Sequence, residues 1–153
     1  MPSLEARLAL IEDRDAITRL FIAAQDALDG RDLKGYGLLF AEDGEWSGII
    51  GRAVGPVEIE RLLSSVLKPW LSEGHRTYHT TVDIAIDVKG DTAVATSKWQ
   101  HITRGENDQP VLLHLGHYDD RMRRTAEGWR FARRAAYADI PYFAPKHQLV
   151  GAG

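Results

Sequence analysis

Hydrophobic residues recur at helical spacing along the first part of the chain. Residues 17–32 carry apolar side chains three or four positions apart, which predicts a helix packed against a core. This stripe consists of Ile17, Leu20, Phe21, Ala24 and Leu28. Ser3 is placed to cap an earlier helical segment, and the charged run at residues 12–15 predicts a bend between that segment and the longer helix.

Two further helices are predicted downstream. Asp32 is a suitable N-cap for a short helix, and Pro56 is suited to the first position of a third helix. Apolar residues match the helical template at every step from Ile59 to Leu67. Pro69 then predicts the end of the third helix.

Alternation of apolar and polar residues replaces the helical pattern in the second half of the chain. Val82, Ile84 and Ile86 alternate with polar or small residues, as expected of a half-buried strand. Three longer strands are predicted after it, at residues 92–103, 111–124 and 128–140. One strand is predicted earlier, at residues 45–50, between a turn at 41–44 and a loop at 51–55.

The order of these elements predicts an α+β fold. Helices come first, followed by one strand, one helix and four strands, and the short turns between the last strands make them antiparallel neighbours. We expect a curved antiparallel sheet wrapped on the long N-terminal helix, in the shape of a cone whose wide end is an apolar pocket. The 153 residues fit a single domain, 1–153, with a loose tail at 142–153.

Composition narrows the range of functions. Hydrophobic residues make up 44% of the chain and charged residues 27%, which is typical of a globular protein with a core. The net charge of −3 and the lack of a basic run argue against a nucleic-acid partner. Cysteine is absent, which excludes a disulfide and a cysteine nucleophile. No stretch reads as a membrane span or a secretory leader, so we expect a cytoplasmic protein.

Asp29 follows the apolar stripe of the long helix and precedes Gly30. At the edge of the stripe its carboxylate can face the interior, where it requires a partner. We expect that partner to be His79, because a carboxylate bonded to one ring nitrogen orients an imidazole as a base. Alternatively, Asp29 belongs to the polar end of its helix, and His79 is a histidine of the core or surface without a catalytic role.

The remaining histidines do not predict a metal site. His75 and His79 are four residues apart and can share a strand face, but a third ligand is missing. His114 and His117 are three residues apart, which places them on opposite faces of a strand. His101, on the strand that follows His79, is a further candidate for the pocket.

Aromatic and basic residues on the strands complete the set of candidates. In residues 129–134, alternation divides the arginines between two faces, so one arginine is expected to point into the cone and hold an anion. A solvated basic face is the alternative. Trp46, Trp99 and Tyr118 lie on strands and are candidates to line a pocket for a flat, apolar ligand, although most strand aromatics belong to a core.

Five stretches, taken in order, resemble the NTF2-like superfamily and, within it, the SnoaL-like family. They are LDGRD, FAEDGEW, GPVEIERLL, YHTTVDI and GHYDDRMRRTAEGWRFARR. The resemblance extends from about Leu4 to Phe143, and the chain is most similar to the hexachlorocyclohexane dehydrochlorinases and, less so, to the scytalone dehydratases. It implies a cone-shaped α+β fold of the NTF2-like, or cystatin-like, type.

The resemblance also implies a function. These enzymes are lyases that work without a cofactor and use a histidine base oriented by an aspartate from the first long helix. By position in the motifs, the base is His79, the aspartate is Asp29, and Arg134 is the arginine that steadies the departing anion. The tyrosines that polarise a carbonyl in the dehydratases have no counterpart, because Leu28 precedes Asp29 and residues 45–50 contain no tyrosine.

We therefore expect a dehydratase-like or dehydrochlorinase-like elimination on a small apolar substrate. An isomerase or hydrolase in the same pocket, and a non-catalytic domain for binding or assembly, are the alternatives, because one fold hosts many functions. Neither a cofactor nor a metal is expected. A sheet face exposed to solvent usually requires a partner, so we expect a homodimer or a homotrimer.

Overall fold

The structure of the chain, a computed structural model, describes residues 1–67 and 76–143. Its helices are α1 (Leu4–Asp29), α2 (Leu33–Leu38) and α3 (Pro56–Leu67). Its strands are β1 (Phe40–Gly48), β2 (Gly51–Val54), β3 (Thr77–Lys89), β4 (Thr92–Arg104), β5 (Pro110–Thr125), β6 (Gly128–Ile140) and β7 (Tyr142–Phe143). A 3-10 helix at Glu106–Asp108 connects β4 to β5. The predicted α+β class is confirmed.

The described strands form one sheet in the order β2-β1-β6-β5-β4-β3, with β7 paired to β6 outside that path. Neighbouring strands are antiparallel except β1 and β6, which run parallel. The prediction of a wholly antiparallel sheet is wrong for this pair. A tight hairpin forces its strands to be antiparallel, whereas β1 and β6 are distant in sequence and are free of that constraint.

Bulges curve the sheet around α1. The pairing register shifts between Val82 and Ala85 in β3, and similar shifts interrupt the pairing of β5 with both of its neighbours. Because a bulge bends its strand, the long strands wrap the helix and the sheet stays unclosed. The predicted apolar stripe of α1 lies buried inside this curve, from Ile17, which is fully buried, to Leu28, which is 8% exposed.

The charged run at residues 12–15 does not bend the first helix, so that prediction is wrong. α1 is continuous from its N-cap, where the Ser3 side chain accepts a hydrogen bond from a backbone amide one turn on. The charged side chains find partners without a break in the helix. Arg19 donates to Asp15 at 2.8 Å on the surface, whereas Asp13 faces the sheet.

Asp13 fixes the N-terminal half of α1 to the sheet. Its carboxylate accepts a hydrogen bond from Trp129 Nε1 at 3.1 Å and two from Arg124 Nη2 at 2.8 and 2.9 Å. We expect Asp13→Ala to lower the free energy of unfolding by about 1–3 kcal/mol, because the donors lose a charged acceptor. The control Asp15→Ala removes only an exposed helical pair and should cost less than about 0.5 kcal/mol. Equal effects of the two changes in urea denaturation would contradict this anchoring role.

Two connections predicted as a turn and a loop belong to strands. β1 begins at Phe40 and includes residues 41–44, which were predicted as a turn. The register of its pairing with β6 shifts between Phe40 and Glu45. Residues 51–54 of the predicted loop form β2, which returns along β1 as a hairpin. Gly51 has a φ of +141°, a conformation that favours glycine, and this explains why the sequence reads as a loop.

The strands of the second half agree with the sequence predictions. β4 is one residue longer than predicted at its end, β5 is one residue longer at each end, and β6 matches its range. The N-cap at Asp32 and the place of Pro56 as the first residue of α3 are also confirmed. Pro69 and the predicted tail beyond residue 143 lie outside the described residues, while residues 142–143 form β7. In the described part of the chain, no helix has the length and apolar character required to cross a bilayer.

Candidate active site

A cavity of about 270 Å³ lies between the concave face of the sheet, the C-terminal end of α1 and the helices α2 and α3. Most of its wall is apolar. The aliphatic lining consists of Leu28, Ile49, Ile50, Leu63, Val66, Leu67, Leu113, Ala136 and Ala138. The size suits a molecule of one or two rings, and the apolar wall strengthens any polar interaction made inside it.

Asp29 and His79 meet at the edge of this cavity. The Asp29 Oδ1 atom lies 2.7 Å from His79 Nδ1, although the two residues are 50 positions apart in sequence. The backbone N–H of His79 also donates to the carboxylate, at 2.9 Å to Oδ2 and 3.1 Å to Oδ1, and Thr77 Oγ1 donates to Oδ1 at 3.4 Å. The side chains of His79 and Asp29 are 17% and 21% exposed. The structure thus brings together the two residues that the sequence predicts as a pair.

This contact selects one tautomer of His79. A carboxylate accepts hydrogen bonds, so the proton of the neutral imidazole is assigned to Nδ1, which leaves Nε2 as the basic nitrogen. His79 is one of the side chains that line the cavity. The four contacts from β3 to Asp29 hold the last turn of α1 against the sheet. Because Asp29 contacts both the ring and the backbone N–H of His79, the orientation of the imidazole is fixed.

Two more histidines continue from His79 across the sheet. His79 pairs with His101 on β4, which pairs with His114 on β5. The His79 and His101 rings stack with centroids 4.4 Å apart and planes 9° apart, and the His101 and His114 rings follow at 5.6 Å and 11°. The Nδ1 atoms of His101 and His114 are 3.4 Å apart. We call these three residues the histidine row, and all three line the cavity.

His114 is the end of the histidine row that lies away from Asp29. Burial, and then the charge of His79, lower the pKa of His114 below the ordinary value for histidine. His117, three positions later, lies on the opposite face of β5, where its Nδ1 is 2.7 Å from Asp139 and its ring stacks on Tyr137. The prediction that His114 and His117 face opposite sides is therefore confirmed.

Among the described residues, no group of three or more potential ligands could hold a metal ion. His75 and His147 lie outside the described residues.

The three predicted aromatic candidates all line the cavity. Trp46, Trp99 and Tyr118 form part of its wall, and the Trp99 ring lies 5.9 Å from the Tyr118 ring. Trp99 Nε1 donates to a backbone carbonyl of β5 at 3.1 Å, which fixes the indole. A Cβ atom at Gly116 would lie 2.4 Å from the Trp99 ring, so the indole occupies space that only glycine leaves open.

Sequence reasoning missed Tyr36 as a cavity residue. It lies on α2, is 1% exposed and lines the cavity. Its place in the apolar pattern of a short helix indicates only a core residue, so no local signal marks it. Burial raises the pKa values of Tyr36 and Tyr118 although the charge of Arg134 opposes this shift. Both hydroxyls therefore remain protonated at neutral pH and can act as donors.

His114 was also missed as a cavity residue, although a signal for it exists. Tyr118 was a pocket candidate, and two steps of two residues back along the same strand reach His114 on the same face. The spacing of His114 and His117 had suggested only a metal-ligand role for His114. The separation of four residues from Tyr118 would have placed both side chains on the cavity wall, where the structure has them.

Arg134 does not line the cavity, although it points inward as expected of one arginine in its strand. Its guanidinium is fully buried and donates from Nε and Nη2 to the two oxygens of Asp120, at 2.9 and 2.8 Å. Burial lowers the pKa of Arg134, but the Asp120 carboxylate together with Tyr36 and Tyr118 outweighs it, so the pKa is raised and the guanidinium stays charged. The same group lies 4.1 Å from the centres of the Tyr118 and Phe131 rings. Arg134 therefore supports the cavity wall from behind.

Strict alternation along residues 129–134 is wrong. Trp129 and Phe131 are buried, but the next residue on their side of the sheet is Arg134 and not Arg133. The register of β6 against β5 shifts between the pairs of Phe131 and Arg133, which inserts one residue and reverses the faces beyond it. A bulge of this kind has no signature in a run of alternating apolar and basic residues.

The comparisons with known proteins agree with this architecture. The SnoaL-like domain family matches residues 9–135. An NTF2-like protein with a cystatin-like fold from Novosphingobium aromaticivorans is 28% identical, with a TM-score of 0.78 over 89% of this chain and 90% of that chain. No curated protein matches the chain.

Two other solved structures are similar at lower identity and show the fold alone. LinA is 24% identical, with a TM-score of 0.75 over 91% of this chain and 92% of that chain. ActVI-ORFA from Streptomyces coelicolor is 22% identical, with a TM-score of 0.75 over 82% of this chain and 94% of that chain. The predicted NTF2-like, cystatin-like fold is therefore confirmed.

Proposed function

This chain belongs to the SnoaL-like domain family, and on that premise we propose that it is a lyase that works without a cofactor. It eliminates a small leaving group from a small, largely apolar substrate bound in the cavity. The observation that carries the proposal is the contact of 2.7 Å between Asp29 Oδ1 and His79 Nδ1 at the wall of an apolar cavity. The resemblance to dehydrochlorinases and dehydratases supplies the class of reaction.

In the proposed reaction, His79 acts as the general base. Its Nε2 atom removes a proton from a substrate carbon that an adjacent carbonyl or similar group has made acidic. Asp29 stabilises the imidazolium that forms, because a charge-assisted hydrogen bond is stronger than a neutral one. The electron pair of the broken C–H bond forms the new double bond, and the leaving group departs from the neighbouring carbon.

The rest of the cavity positions the substrate. Trp46 and Trp99 offer flat faces to an aromatic or apolar group, and Tyr36 and Tyr118 offer hydroxyl donors. His101 adds a polar group beside the base.

A homodimer or homotrimer stays a prediction for this chain, and analytical ultracentrifugation of the purified protein tests it.

The reaction class is tested by the mass of the product. As probes we choose the β-hydroxy ketone and the β-chloro ketone that both eliminate to benzylideneacetone, because each is a single-ring molecule that suits the cavity. Elimination gives benzylideneacetone from both probes with loss of water or hydrogen chloride, isomerisation leaves the mass unchanged, and hydrolysis converts the chloro ketone into the hydroxy ketone. A product of unchanged mass, or the hydroxy ketone as the end product from the chloro ketone, would replace the lyase with one of the two alternative reactions.

Asp29→Asn tests the role of the carboxylate. The amide oxygen can still accept the backbone N–H of residue 79, so the turn stays in place, but a neutral amide no longer stabilises the imidazolium. We expect kcat for either probe to fall by about 10²-fold or more with little change in KM. The matched control is Asp139→Asn, which alters the similar pair with His117 on the outer face and should leave turnover unchanged. A kcat near the wild-type value for Asp29→Asn would contradict the proposal.

A further inference from the structure

A second polar contact joins α1 to β3, one helical turn from the contact of Asp29 with His79. Gln25 Nε2 donates a hydrogen bond to Thr81 Oγ1. Gln25 lies four residues before Asp29 on the same side of α1, and Thr81 lies two residues after His79 on the same face of β3. The helix and the strand therefore meet at two polar points that belong to the same two elements.

The spacing of the two contacts matches the geometry of both elements. Four residues of an α-helix span about 6.0 Å, and two residues of a strand span about 6.7 Å. The helix and the strand run in opposite directions, because the later helix residue meets the earlier strand residue. Both contacts can therefore form at once, and together they fix the rotation of α1 as well as its position along β3.

Gln25 is a polar residue in an apolar place. Its side chain is 8% exposed and lies among the buried apolar residues of α1. Within the described part of the chain its Oε1 atom has no hydrogen-bond partner, so the bond to Thr81 is the one that holds the amide. A buried amide with one satisfied group contributes little net stability. Its contribution is direction, because a hydrogen bond restricts distance and angle whereas apolar contacts are non-directional.

We propose that Gln25 is a positioning residue that acts through Thr81 to hold the Asp29 carboxylate at bonding distance from His79 Nδ1, and its effect on turnover rests on the proposed elimination. Neither Gln25 nor Thr81 is among the described residues that line the cavity, so neither is placed to touch a bound molecule. Without their contact, α1 turns against β3 about the remaining point. The imidazole then no longer presents Nε2 to the cavity in one tautomer and one direction.

The experiment removes the contact from either side with changes of nearly constant shape. Thr81→Val replaces the hydroxyl by a methyl group, and Gln25→Met replaces the amide by a thioether. For either variant we expect kcat for the ketone probes to fall by about 10-fold or more with little change in KM, because a displacement of about 1 Å can cost about 10²-fold. Thr81→Ser keeps the hydroxyl and should retain most of the turnover. The control Thr80→Val removes a hydroxyl that faces Gln100 on the outer side of the sheet and should leave kcat unchanged.

The double variant Gln25→Met with Thr81→Val separates positioning from stability. Each single change leaves a polar partner without its bond, whereas the double change removes both partners, which is often nearly neutral for stability. We expect the double variant to recover the thermal midpoint of the wild type but to keep the loss of kcat. A kcat that recovers together with the thermal midpoint would show that Gln25 acts through stability alone and would overturn its positioning role.

A second measurement does not depend on turnover. Ring nitrogen NMR of neutral His79 should show the proton on Nδ1 in the wild type and a mixture with the Nε2–H form in both single variants, because the Asp29 acceptor is no longer aligned. An unchanged tautomer in both variants would overturn the positioning role. If the tautomer changed as expected while the wild type eliminated neither probe, the proposed elimination would fail and the positioning of His79 by Gln25 would stand.

Discussion

His79→Ala is expected to lower kcat by about 10²–10⁴-fold while the protein keeps its fold, because in the proposed reaction His79 is the base that removes the carbon-bound proton. The fold should survive since Asp29 is also held by the backbone N–H of residue 79, which the substitution keeps. The cavity becomes larger on one side and keeps its aromatic wall. Steady-state kinetics with the β-hydroxy and β-chloro ketones measures the loss, and the thermal midpoint measures the fold.

The chain itself supplies a control for this variant. His117 makes a similar contact with Asp139 at 2.7 Å, but it lies on the outer face of the sheet and its side chain is 40% exposed. His117→Ala should therefore leave kcat unchanged. Combining Asp29→Asn with His79→Ala should cost no more than His79→Ala alone, because the carboxylate acts through the imidazole. A His79→Ala protein that turns the probes over at the wild-type rate would remove His79 from the mechanism.

The second large effect is expected on stability, at the buried pair of Asp120 and Arg134. Both side chains are fully buried, and the guanidinium donates two hydrogen bonds to the carboxylate. We expect Asp120→Asn to lower the free energy of unfolding by about 3–5 kcal/mol, because a charged guanidinium is then left in the core without its counter-ion. Guanidinium chloride denaturation would measure the loss. Lys98→Met, which removes an exposed pair with Asp83, should change stability by less than about 1 kcal/mol.

Removing both charges separates this structural role from an anion-binding role. The double variant Asp120→Leu with Arg134→Met has apolar side chains in both positions, and replacing a buried ion pair in this way is often neutral or stabilising. We expect it to recover most of the stability that Asp120→Asn loses, and to retain turnover of the β-chloro ketone. If the stable double variant lost that turnover by 10²-fold or more, Arg134 would hold the departing anion, as the resemblance implies.

The sequence by itself determined the elements and their class. Helical spacing placed the five buried apolar residues of α1, and alternation with turn residues placed the long strands β4, β5 and β6. These patterns are local, because a helix or a strand is specified by which faces of a short segment are apolar. The position of Asp29 at the edge of a stripe followed from the same periodicity, the chemistry of a carboxylate and an imidazole suggested His79 as its partner, and the resemblance supported that pair.

Only the tertiary structure decided which side chains share the cavity. The pairing of β3, β4 and β5 aligns His79, His101 and His114, and the shift of β6 against β5 turns Arg134 inward onto Asp120. Strand register and bulges arise from the packing of the whole sheet on α1, and a shift of one residue moves every later side chain to the opposite face. No local pattern contains that information, which is why the contact of Asp29 with His79 was predictable while the histidine row and the neutralised arginine were not.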